Sequence, residues 1–316
     1  MAEVSSFDVT KIIAVRAIKS ALRDRTVFLL AAMFVTMVLI SAYLGWSATI
    51  TVNHIYDAAV PVMKAQGMAV PNNPVGEMPP LSLFRNMVTY VALLGALAAL
   101  VLGYQTTAAD RKIGVVPLIV SRPIGRGSIA VGKILAIAAV IFGVLCIAVV
   151  INCLTMLLLP GLAIDASVLA GLAKFYMISA LYMMAFAMLG SISAMICNSE
   201  AMALLVPVTI WLALTFVIPQ VTANIGPMAA LNPLSANLVA PSGPFFAATS
   251  ALLGPLSIAE SYRYLAASIL DILSGAGVNV SQGSALLSLL IANAVLILGF
   301  ILAFNRLDAS RSEYRD

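Results

Sequence analysis

Six long apolar runs constrain this chain more than any other feature of its sequence. They cover about residues 27–50, 87–104, 129–159, 167–196, 201–221 and 285–304. A bilayer-crossing helix needs about 20 mostly apolar residues, because its backbone groups must pair with one another inside the lipid. Only 9% of the residues are charged and 62% are apolar, against about 25% charged in a soluble domain. A water-soluble globule of 316 residues could not hide that much apolar surface. A soluble enzyme, a secreted disulfide scaffold, a disordered chain and a nucleic-acid-binding domain are therefore excluded. The expected fold is all-α: one polytopic membrane domain over 1–316 with six transmembrane helices. The first run reads as a retained anchor, because its apolar core is too long for a signal peptide and five basic residues precede it.

The cations orient the spans. Lys11, Arg16, Lys19, Arg23 and Arg25 precede the first run. Arg111, Lys112, Arg122, Arg126 and Lys133 lie between the second run and the foot of the third. Arg306, Arg311 and Arg315 follow the last. With six spans these regions share one side, and they hold thirteen of the 17 Lys and Arg. Both termini are expected in the cytoplasm of a bacterial inner membrane protein. Residues 5–25 read as an interfacial helix, with Val15, Ile18 and Leu22 beside a stripe of Arg16, Lys19 and Arg23 suited to lipid and anionic headgroups. Two proline-bearing segments, about 51–86 and 222–284, fall outside. Within the second, Ile258 to Leu273 is amphipathic and suited to lying on the membrane surface.

Several chemistries are missing. The only histidine, His54, falls in the first external segment, so no Ser-His or Cys-His pair can form within the spans. No Cys/His/Asp/Glu cluster has metal-ligand spacing. Cys146 and Cys153 lie about 10 Å apart along one helix, too far to bridge. Asp165, Lys174 and Glu200 sit at span ends, leaving no midplane relay for protons. Gly127 to Lys133 fits GxxxxGK, but Ile134 stands where a magnesium-binding Ser or Thr belongs and no strand precedes it. The chain is expected to bind no nucleotide, metal or cofactor of its own and not to be an enzyme.

The segment from Tyr104 to Lys133, YQTTAADRKIGVVPLIVSRPIGRGSIAVGK, holds a short apolar element between charged flanks. Such an element can dock in a groove of a partner, or lie passively in the headgroups. Here the chain resembles the permeases of ABC-2 type exporters. Asp110, Gly114, Val115 to Val120, Pro123, Arg126 and Gly132-Lys133 follow that family's loop pattern in order, with Gly114-Val115-Val116 where Gly-Thr-Leu is usual. Pro123 to Gly127 and Asn232-Pro233 are similar to the subgroup containing the permease of the copper-maturation exporter of nitrous oxide reductase. The resemblance implies a homodimer of permeases, each subunit bound to one cytoplasmic ATPase, so two ATPase copies carry the ATP and magnesium. It implies that loop 105–128 is a coupling helix seated on the ATPase. Asp110, Arg111, Lys112, Arg122 and Arg126 would be its polar contacts. Ile113, Gly114, Val116, Leu118 and Ile119 would form its apolar element. The turn Cys197-Asn198-Ser199-Glu200 would be a second contact, with Asn198 and Glu200 facing the partner. The interfacial helix becomes an elbow helix.

Gly95, Ala99 and Gly103 put small residues on one face of the second span, where another backbone can approach. Met177, Met184, Met188 and Met195 share one side of the fourth, a pattern that suits packing or a soft-metal path. Pro207 and Pro219 favour a bend in the fifth. By the resemblance, spans one, two and five face the dimer axis, making Thr36, Ser41, Thr89, Thr209, Trp211 and Thr215 candidate pathway residues for an apolar, amphipathic or neutral cargo. Two alternatives stand beside an exporter: a permease-like subunit that acts mechanically on an external, periplasmic partner, and an ATP-independent carrier.

Overall fold

A computed structural model describes residues 6–111, 121, 125–159, 164–222, 243–254, 257–272 and 281–306. The described residues form helices and turns without a strand. Beside a single helical turn over Pro74–Glu77, the helices are α1 (Ser6–Arg23), α2 (Arg25–Ala65), α3 (Pro80–Arg111), α4 (Arg126–Leu157), α5 (Ala166–Ile196), α6 (Glu200–Val221), α7 (Pro244–Leu253), α8 (Ile258–Ile269) and α9 (Gln282–Asn305). Six of them, α2 to α6 and α9, are long and apolar enough to cross a membrane, as the apolar runs require.

Asp24 explains the first corner. It stops α1, and its carboxylate accepts from the Thr26 and Val27 amides at 2.8 and 3.1 Å, capping α2. Only one residue separates the two helices, so they turn sharply. Helix α1 then lies across the foot of α4 with Ala14 and Ala21 buried. The apolar stripe divides there: Ile18 is half-buried, whereas Val15 and Leu22 face outward. Gly132 makes this crossing possible, since a Cβ at that position would meet Ile13 and the Thr10 carbonyl oxygen at about 3 Å.

Helix α2 is longer than its apolar run. Its 41 residues extend roughly 60 Å at 1.5 Å per residue, about twice the hydrocarbon thickness. Residues 51–65, expected in an external segment, continue the helix, and His54 is an exposed helical residue. The chain then folds back onto this overhang. The Asn73 side-chain amide donates to Asn53 Oδ1, and the Tyr56 hydroxyl donates to the Pro71 carbonyl, each at 2.8 Å.

Helix α5 is the hub. It and α3 are mostly buried, whereas α2, α6 and α9 turn most of their surface outward. The small-residue face of α3 packs against α5 of the same chain. A Cβ at Gly103 would overlap the Ala187 carbonyl, and one at Gly190 would overlap the Leu100 carbonyl, so each glycine admits the other helix's backbone. Polar ties radiate from α5. Ser191 donates to the Gly103 carbonyl, the Asn152 amide to the Tyr176 hydroxyl, and the Asn293 amide to the Leu181 carbonyl, at 2.8 to 3.1 Å. The four methionines do not act as a unit: Met188 is fully buried, Met184 and Met195 are half-buried, and Met177 is exposed.

The amphipathic segment after span five is helical, as α8, but it does not lie on the surface. Every residue from Ala259 to Ala267 is buried, against α5, α9 and the outer turns of α3 and α6. Its polar side has inward partners. Glu260 accepts from Thr222 Oγ1 at 2.7 Å. Both terminal nitrogens of Arg263 donate to the Thr215 carbonyl at 3.3 Å. That carbonyl lies four residues before Pro219, which has no N–H to offer it. Arg263 thus satisfies an acceptor that the proline leaves open, beside a π-helical turn over Ala213–Val217. Tyr262 stacks on Tyr182 at 4.3 Å, and Tyr182 donates to the Ala92 carbonyl in a second π-turn, Val91–Gly95. Amphipathic periodicity shows that one side needs polar partners; here those partners are protein groups rather than water.

Candidate functional site

The basic end of the bundle gathers Asp110, Arg111, Arg126, Asn198 and Glu200 from the residues singled out in the sequence. Helices α3, α5 and α9 all finish there, because three even-numbered spans return to the side from which the chain started. A helix C-terminus leaves four carbonyls without intrahelical donors and carries the negative end of the helix dipole. Three such ends side by side need cations.

Three cations around the loop between α3 and α4 supply them. Arg111, the last residue of α3, is 2% exposed. Its Nη1 donates to the Ala194 carbonyl at 2.8 Å and to the Cys197 carbonyl at 2.5 Å, capping the end of α5. Arg126, the first residue of α4, donates from Nη1 to the Asn305 carbonyl at 3.0 Å, at the end of α9. Lys133, two turns into α4 and 5% exposed, donates to the Thr106 carbonyl in the last turns of α3. It also pairs with Asp110 at 2.6 Å. The charge-assisted bonds are of the stronger kind, and burial of Arg111 and Lys133 raises the cost of losing a partner.

The turn between α5 and α6 sits against this arrangement. Asn198 and Glu200 are exposed. Ser199 caps α6 by accepting from the Met202 amide at 3.3 Å, and the Tyr104 hydroxyl reaches the Glu200 carbonyl at 3.4 Å. The root of loop 105–128 and the 197–200 turn therefore share one polar network. Lys112, Ile113, Gly114, Val116, Leu118, Ile119 and Arg122 lie outside the described residues. Gly127 to Lys133, the near-match to a phosphate loop, is helical within α4, and its two notable residues serve packing and pairing.

The family model for ABC-2 family transporter proteins matches residues 12–309. The chain belongs to the ABC-2 transporter family. No curated protein matches it individually. An ABC-2 family protein is a multi-pass membrane permease subunit of an ABC transporter. Such subunits generally have no nucleotide site of their own and work with a partner ATPase.

In this ABC-2 permease the six candidate pathway residues do not converge on one described cavity. Ser41 is fully buried, Trp211 is 8% exposed and Thr215 is 1% exposed. The Ser41 and Thr215 hydroxyls and the Trp211 indole nitrogen have no hydrogen-bond partner. Trp211 and Thr215 stand one helical turn apart on the inward side of α6. Thr36 and Thr209 face outward and return their hydroxyls to the Ala32 and Leu205 carbonyls at 2.9 Å. Thr89 is half-buried. The inward cation Arg263 was missed among the functional candidates. Its signal was available in the sequence: a proline in span five that orphans a carbonyl, and a lone arginine in the following apolar segment.

Proposed function

We propose that this protein is the membrane subunit of an ABC-2 exporter, coupling ATP hydrolysis by a separate cytoplasmic ATPase to movement of a cargo out across a bacterial inner membrane. The observation that carries this reading is the shared polar network of the loop root and the 197–200 turn, in a chain matched by the family over 12–309. The described root of the loop and the turn, the two elements that the resemblance brings to the ATPase, are joined by hydrogen bonds. Both termini are then cytoplasmic, the ATPase binds in two copies, and a second permease copy covers the outward surfaces of α2 and α6. Asn198, Glu200 and the loop apex, with Ile113, Gly114, Val116, Leu118, Ile119, Lys112 and Arg122, make the direct contact. Ser41, Trp211 and Thr215 are the stronger candidates for the cargo path, since they are inward and unpaired. The Pro123 to Gly127 stretch supports the subgroup of the copper-maturation exporter of nitrous oxide reductase.

Helix α1 lies at the same end of the bundle. A shallow groove of about 1040 Å³ runs along its cationic side, lined by Asp8, Lys11, Arg16, Lys19 and Arg23 among others. Anionic headgroups or an acidic ATPase surface both suit it.

The test is co-purification of the full-length protein with an ATPase expressed beside it. Ile119→Asp places a charge in the apolar docking element. The variant inserts in the membrane as the wild type does, while ATP-driven transport falls to the level without ATP. Unchanged coupling in that variant, or a transporting permease without any ATPase, overturns the reading. A second reading, mechanical action on an external partner, is favoured by the overhang of α2, which carries exposed Ile55 and Val62 well beyond the lipid. Transport into liposomes without that partner separates the two.

A further inference from the structure

We propose that Arg111, Arg126 and Lys133 are internal struts rather than docking contacts, and that they bind the ends of α3, α5 and α9 into one body at the basic end of the bundle. The geometry gives each cation its own helix end: Arg111 the Ala194 and Cys197 carbonyls of α5, Arg126 the Asn305 carbonyl of α9, and Lys133 the Thr106 carbonyl of α3. The assignment covers every described span that ends at this side. Arg111 and Lys133 cannot serve both roles at once, because side chains 2% and 5% exposed have no surface to offer a partner; for Arg126, which is half-buried, the assignment rests on its bond to the Asn305 carbonyl.

The mechanical consequence rests on the ATPase-coupling reading. A force on a loop fastened to one helix would bend that helix. Fastened to three, the loop moves them together, and α5, the hub, carries the displacement to α8 through Ser179–Tyr262 and Tyr182–Tyr262. Asp110 completes the device. Its pairing with Lys133 ties the first residues of the loop to the helix that follows it, so the loop is closed at its base.

The experiment is hydrogen–deuterium exchange, read by mass spectrometry, on the full-length protein in lipid nanodiscs without nucleotide or ATPase. Arg111→Gln raises exchange across 194–200 by about tenfold or more, the scale of a lost charge-assisted bond. It leaves 302–306 at wild-type levels. Arg126→Gln does the reverse, and Lys133→Met acts on 104–110. Should Arg111→Gln not accumulate, Arg111→Lys gives an intermediate rise, because one ammonium does not reproduce a guanidinium fork on two carbonyls. A variant that leaves its own segment unchanged, or that raises exchange evenly across the chain, overturns the strut assignment. Loss of ATPase association with normal exchange at 194–200 also overturns it and returns Arg111 to direct contact. Segment-specific exchange in a permease that captures no ATPase upholds the struts and removes the exporter reading instead.

Discussion

The two ends of this bundle solve the same problem in different ways. At the basic end and at the opposite end, cations donate to backbone carbonyls at helix ends or breaks. At the basic end those carbonyls belong to helix termini, and the cations arrive from the residues flanking one loop. At the opposite end the carbonyl is interior to α6, left open by Pro219, and Arg263 arrives from a separate helix. Terminal carbonyls are open in every conformation of a helix, so capping them joins elements permanently. A carbonyl released by a proline beside a π-turn marks a point where the helix has already lost stiffness. The basic end is thus tied across three helices, and the outer half of α6 has a soft point with α8 as its brace.

The largest expected effect breaks the outer brace. Arg263→Met leaves the Thr215 carbonyl unserved and removes a favourable charge near Glu260, at a cost of about 3 kcal/mol. Thermal unfolding in detergent reads it. Adding Pro219→Ala supplies an amide for Thr215, so the double variant recovers part of the loss. If Pro219→Ala deepens the loss instead, the orphaned-carbonyl account fails. Burial pulls the Arg263 guanidinium below its usual value, while Tyr182, Glu260 and Tyr262 hold it up, so the cation survives its desolvation through neighbours that the same test perturbs.

The next effect probes the crossing of α1 over α4. Gly132→Leu drives a side chain into Ile13 and the Thr10 backbone, costing about 1–3 kcal/mol and freeing α1 for proteolysis. Wild-type protection of residues 6–23 would show that the close approach is dispensable. Lys133→Met follows at about 1–2 kcal/mol, lower than Arg263 because Asp110 keeps 21% of its side chain in solvent and can hydrate. If Lys133→Met matches Arg263→Met in unfolding, the two ends are equally dry and the contrast drawn above is wrong.

The smallest effect is at the start of α5. The Val168 amide and the Ser167 hydroxyl hold the Asp165 carboxyl below its ordinary value. A depressed carboxylate adds stability above its unfolded pKa of about 3.9, and that contribution disappears as pH falls through the folded value. Asp165→Ala therefore melts earlier than wild type at neutral pH, and the gap closes toward pH 2. A gap of constant size throughout would mean that the cap does not depend on charge.

The spans were legible because hydropathy over 20 residues is a strong signal, and Gly95, Ala99 and Gly103 marked a face of α3 open to close approach, although nothing in that spacing named α5 as the neighbour. Helix α8 was half legible. Its period fixed the helix, but no period distinguishes water from buried protein groups as the destination of Glu260 and Arg263. The overhang of α2 was hidden because its apolar run ends at the membrane while helix-forming residues continue to Ala65. Arg111 and Arg126 stood out as charged flanks of an apolar loop element. Whether such a charge points outward or back to a helix end depends on which other spans terminate nearby, and that is a property of the assembled bundle.

The capping cations also set an order of events during synthesis. Arg111 precedes α5 and Arg126 precedes α9 in the chain, so neither cation has its carbonyl partner until the later helix has been made. Lys133 differs, because its partners Thr106 and Asp110 belong to a helix made before it. A chain that stops short of α9 therefore leaves Arg126 without the Asn305 carbonyl.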